Sequence, residues 1–102
     1  MNKRELFWLI LRSVATACEI SESEIIGSCR SQVACDARCI IVNLCRRYGL
    51  TTDDLLLLTG RKHRNSICSI LYRYWERRRQ SYFFRELDDE VERVLNALFS
   101  GK

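Results

Sequence analysis

The sequence predicts an all-α fold, a single-domain bundle of about six helices that contains a helix-turn-helix. Three observations carry that prediction. The 102 residues include no proline and only four glycines, so the many turns of a β-sandwich would lack their usual residues. Long stretches are rich in Leu, Arg, Glu and Ala, and apolar residues recur at helical spacing. A chain of this length buries roughly 65% of its extended surface, enough for one core. With 47% hydrophobic residues and a net charge of +4, disorder is not expected.

Asn2 with Glu5 forms a capping box, and Phe7, Ile10, Leu11, Val14, Ala15 and Cys18 share one face, which places a first helix over about 3–19. Ser21 with Glu24 repeats the box ahead of Ile25 and Ile26, so a short helix ends near Gly27. Residues 28–36 lack periodicity and read as a polar loop carrying Arg30. From Val33 or Ala34 to Tyr48 the set Ala37, Ile40, Ile41, Leu44, Cys45 and Tyr48 marks a third helix, with Gly49 as its left-handed cap. Its other face holds Arg38, Arg46 and Arg47. Thr52 is the expected N-cap of a short helix, with Asp53 and Asp54 complementing its dipole, and that helix stops at Thr59-Gly60. Arg61-Lys62-His63-Arg64 then leads into a long helix with the stripe Ile67, Ile70, Leu71, Tyr74 and Trp75, running to about Gln80 or beyond. A last helix, roughly 85–99, is expected to bury Leu87, Val91, Val94, Leu95 and Leu98 behind an acidic face.

The basic excess is arginine, 14 Arg against 3 Lys, and it is concentrated. Residues 1–29 carry three basic and four acidic groups, residues 30–85 twelve and four, and residues 86–102 two and five. A net +8 between acidic ends is the footprint of a polyanion-binding face; a solvated helical surface is the plainer reading of the same charges. The triplet Arg77-Arg78-Arg79 reads as a solvated turn near a helix C-terminus, where cations are favourable.

Other classes lack their signatures. There is no P-loop or dinucleotide fingerprint, which excludes an ATPase. The longest apolar run, Leu6 to Leu11, is six residues, against the ~20 that span a bilayer, and Arg12 ends it too early for a leader. A cytoplasmic location follows. Six cysteines include no C-x-x-C, and the one histidine has no cysteine within four residues, so reduced and mostly buried thiols are expected rather than zinc or disulfides. Cys68 reads as core or boundary packing. No nucleophile–base pair stands out, so no enzyme, cofactor or small-molecule substrate is expected.

The segment Thr52 to Trp75 carries the chemistry: a short helix, a tight turn, and a longer helix opening on cationic and hydrogen-bonding side chains. In a helix-turn-helix those opening residues meet base edges in the major groove. Arg61, Lys62, His63, Arg64, Asn65 and Ser66 supply forked donors, a point charge, an amide able to pair with adenine, and a hydroxyl, and the apolar stripe begins only at Ile67. Cations there oppose the helix dipole at about 0.3–1 kcal/mol each, so folding gives no reason for them. Arg46 and Arg47 are expected to meet DNA without regard to sequence.

From about Val14 to Trp75, about 60 residues, the chain resembles the C-terminal origin-binding domain of the bacterial replication initiator DnaA, a Trp-repressor-like helical domain. The resemblance lies in Arg30, Val33, Asp36-Ala37-Arg38 and Ile40, similar to that family's basic loop and helix opening. It lies also in Leu55 to Leu58 and in Gly60-Arg61-Lys62-His63, similar to its Gly-Gly-Arg-Asp-His-Thr-Thr-Val signature. The resemblance implies that Arg61, His63, Arg64 and Asn65 read the major groove, Arg30 the minor groove, and Arg38 a phosphate. Lys62 replaces an aspartate that could accept from cytosine, and Arg64-Asn65 replace threonines, which implies a site other than the family's usual origin box. The expected partner is double-stranded DNA, in replication control or transcription regulation in a bacterium or its mobile elements; RNA would meet the same charges. The competing reading is a helical protein-interaction module that docks on an acidic partner or homodimerises through Tyr72, Tyr74, Trp75, Tyr82, Phe83 and Phe84.

Overall fold

The computed structural model describes residues 2–27, 31–61 and 63–100. Among them are six helices and no strand: α1 Lys3–Cys18, α2 Glu22–Ile26, α3 Gln32–Arg47, α4 Thr52–Thr59, α5 Arg64–Gln80 and α6 Tyr82–Ser100. No helix among the described residues is long and apolar enough to cross a membrane.

α3 is the central helix because its middle, residues 39–45, is apolar but for Asn43. Residues 39–45 are buried without a break, and a helix can hide every face only when neighbours surround it. α1, α2, α4 and α5 pack against it, and α6 closes the bundle across α1 and α5. Phe7, Ile10 and Leu11 of α1, Ile40 and Leu44 of α3, Ile67 of α5 and Phe84 and Val91 of α6 meet in one core. The radius of gyration is 12.6 Å, close to the ~13 Å of a compact domain of about 100 residues.

Local chemistry sets the helix starts. Asn2 Oδ1 accepts from the Glu5 amide at 2.8 Å, and Ser21 Oγ accepts from the Glu24 amide at 3.1 Å, which is the N-cap half of each expected box. Three starts differ from the sequence expectation. α3 begins at Gln32, before Val33 or Ala34, because Ser31 Oγ caps the Ala34 amide at 3.2 Å; the last part of the expected 28–36 loop is therefore helix. α4 is capped by Thr51 rather than Thr52, in a full box with Asp54. Thr52 is buried, and its hydroxyl accepts from Arg46 Nη1 at 3.0 Å. α6 begins at Tyr82 instead of about 85, since Ser81 Oγ accepts from the Phe84 amide at 3.2 Å.

Three residues of the expected apolar faces lie outside it: Tyr48, which caps α3 rather than continuing it, is 43% exposed, Trp75 62% and Leu98 40%. Tyr74 takes the inner position instead, with its ring edge-on to Phe84 at 5.6 Å and its hydroxyl donating to Asp88 Oδ2 at 2.6 Å. Leu71, Leu87 and Val94 are partly buried. The arginine triplet continues α5, and only Arg79 of the three is solvated. Arg77 grips Asp36 with a fork, Nε to Oδ1 at 3.0 Å and Nη2 to Oδ2 at 3.1 Å, tying α5 to α3. Arg78 Nη1 donates to Asp88 Oδ2 at 2.6 Å, tying α5 to α6. Asp88 is fully buried with its Oδ1 unpartnered, and burial pushes its carboxyl above the ordinary value despite the Tyr74 hydroxyl and the Arg78 charge.

Candidate functional site

α4 ends at Gly60, which takes the left-handed conformation at φ +74° and donates its amide to the Leu56 carbonyl at 3.0 Å. Residues 60–63 join it to α5. The helix itself opens at Arg64, with His63 as N-cap and no side-chain acceptor on its first-turn amides. Of the basic run, Arg61 and His63 thus precede the helix and Arg64 is its first residue; Lys62, like Arg30, lies outside the described residues.

An open groove of about 510 Å³ runs between α3 and α5 at this end. Arg38 lines its α3 wall, while Arg61, His63, Asn65, Ser66, Ser69 and Arg73 line the other, with no carboxylate among the described lining residues. Arg61 is half-buried, and burial together with the neighbouring Arg38 charge holds its guanidinium below the ordinary value. Arg38 donates from Nε to the Ile25 carbonyl at 2.7 Å and from Nη2 to those of Glu24 at 3.1 Å and Gly27 at 2.9 Å. It therefore seats the end of α2 while facing the groove.

The remaining candidates lie apart from the groove. Arg64 and Asp53 are both exposed and 3.4 Å apart. Arg46 holds Thr52, and Arg47 pairs with Glu92 of α6 at 2.5 Å, so Arg47 is a tie between helices. Sequence reasoning missed Ser69 and Arg73. Their signal was spacing: Ser66, Ser69 and Arg73 recur at three and four residues on one flank of α5, beside the apolar stripe.

Cys18, Cys35, Cys39, Cys45 and Cys68 are free thiols, and Cys29 lies outside the described residues. Burial pushes Cys18 and Cys39 up to about 11 and Cys45 to about 12, which removes thiolate reactivity near neutral pH. Cys68 is exposed, not packed as expected, because it falls on the outer face of α5. No group of three or more His, Cys, Asp or Glu side chains suited to a metal occurs among the described residues.

Compared with protein-family models, curated proteins and solved structures, the chain has no match.

Proposed function

We propose that the chain binds double-stranded DNA, with α4 and α5 acting as a helix-turn-helix and the start of α5 facing the major groove. The observation that carries this reading is the groove beside that start, where several cationic and amide or hydroxyl side chains converge with no carboxylate among the described lining residues. Arg64 and Asn65, exposed and outside the core, are the base-reading candidates, with His63 and Ser66 beside them. Arg30 and Lys62 belong to the reading on sequence alone. The resemblance to the DnaA origin-binding domain supports the same end of the molecule and suggests a cytoplasmic role in replication control or transcription regulation.

Selection of bound sequences from random duplex DNA tests the reading. A recovered motif that weakens at one position in Asn65→Ala supports it. Recovery of nothing above background at low salt contradicts it.

A second reading has its own observation. Tyr72, Trp75, Tyr82 and Phe83 are each more than 60% exposed, an apolar excess that favours association of two copies. A light-scattering mass of twice 12.1 kDa supports that homodimer, and a monomer mass at high concentration rejects it.

A further inference from the structure

The groove between α3 and α5 is lined by Arg38, Arg61 and Arg73 and, among the described residues, by no carboxylate. The arginines at the far end of α5 meet acids as they leave solvent: Arg77 meets Asp36 at 3.0 Å and Arg78 meets Asp88 at 2.6 Å. Arg61 is half-buried and the exposed Arg73 lines the same groove, where no carboxylate occurs among the described lining residues; on its other side Arg73 borders a neighbouring pocket with Asp36 and Glu76. Like charges gathered at a partly desolvated wall are unfavourable without a counter-ion. Ser66 and Ser69 place hydroxyl groups on the wall that carries Arg73, and a planar guanidinium fork matches the geometry of a phosphate oxyanion. Neither the apolar core nor any helix-to-helix tie explains this combination.

We propose that the groove is a phosphate seat, in which Arg61 and Arg73 grip a phosphate oxyanion and Ser66 and Ser69 donate hydrogen bonds to it. Arg38, held in place by the carbonyls of α2, adds positive charge behind the seat. The source of the phosphate rests on the reading above: on a bound duplex it is a backbone phosphodiester, and otherwise it is the phosphate of a free ligand. The seat assigns these residues to anchoring, and leaves base reading to Arg64 and Asn65.

The test has two arms. In the first, amide chemical shifts of the whole chain are followed while inorganic phosphate replaces chloride at constant ionic strength. The seat predicts saturable shifts at Ser66, Ser69 and Arg73 that vanish in Arg73→Gln and in Arg61→Gln and persist in Arg47→Gln, whose side chain pairs with Glu92 instead. A response to phosphate no different from that to chloride overturns the seat, even where duplex binding persists. In the second arm, Arg73→Gln is compared with the unaltered chain on selected and random duplexes. A duplex source predicts equal weakening on both and a salt slope smaller in magnitude by about 0.9. Phosphate-specific shifts with no duplex binding keep the seat, assign it to a free phosphorylated ligand, and end the duplex reading.

Discussion

The two ends of α5 use the same residue for opposite purposes. At its C-terminal end Arg77 and Arg78 point at Asp36 and Asp88, and each bond ties the helix to a different neighbour. At the start of the helix Arg61 lines an open groove that Arg73, on the middle turns, also lines, with no acid among the described lining residues, and Arg64 pairs with the exposed Asp53. A guanidinium beside a buried carboxylate cannot be removed without leaving a charge stranded in low dielectric. A guanidinium on an open wall can be removed with little loss to the fold, which leaves it available for a ligand. Counting arginines therefore overstates the charge that a polyanion could meet, because the sequence excess mixes the two kinds.

The comparison breaks first, if at all, on stability. Arg78→Ala strands the buried Asp88 carboxylate, and chemical denaturation should show a loss of about 3 kcal/mol. An unchanged midpoint would mean that the far end is as open as the near one. Next in size, Arg61→Ala should leave the denaturation midpoint nearly in place and weaken duplex binding by about 1–3 kcal/mol, read by titration against a labelled duplex. Tyr74→Phe removes one donor to a charged acceptor and should cost about 2 kcal/mol of stability, with no effect on DNA affinity beyond the folded fraction. The smallest expected effect is at Arg64→Ala, whose exposed pair with Asp53 contributes little; chemical denaturation should show a stability change of less than about 0.5 kcal/mol.

Acidity sharpens the same contrast. Burial raises the Asp88 carboxyl above its ordinary value, so the folded state holds that proton more tightly than the unfolded chain. The contribution of this group is most favourable below its unfolded value and declines as pH rises through the shifted one. The stability of the unaltered chain relative to Asp88→Asn should therefore fall between the ordinary carboxylate range and neutrality. A difference that grows over that interval would mean that Arg78 and Tyr74 outweigh burial.

Most of the fold was legible because its signals are local. Asn2 with Glu5 and Ser21 with Glu24 announce their helices within four residues, and the α3 stripe announces a central helix. What failed needed information from another helix. Thr51 and Thr52 are equal candidates for a cap until Arg46 takes the hydroxyl of Thr52. Tyr74 and Trp75 are adjacent aromatic residues, and only Asp88, fourteen positions beyond Tyr74, selects which one turns inward. Arg77 reads as solvated because Asp36 is 41 positions away. The start of α5 was legible for a different reason: its polar residues precede the apolar stripe, a pattern visible within one segment. Arg73 was not, because it sits beside that stripe and only the α3 wall turns it into part of a groove.

On the proposed function, the start of α5 binds a polyanion while its C-terminal end holds the fold. Duplex affinity measured across a range of salt concentrations tests it most directly. Binding is expected at low salt, with log affinity falling against log salt at a slope near −0.9 for each phosphate neutralised, and a shallower slope for Arg61→Ala. An absence of duplex binding at low salt, or a slope indifferent to Arg61, would contradict it.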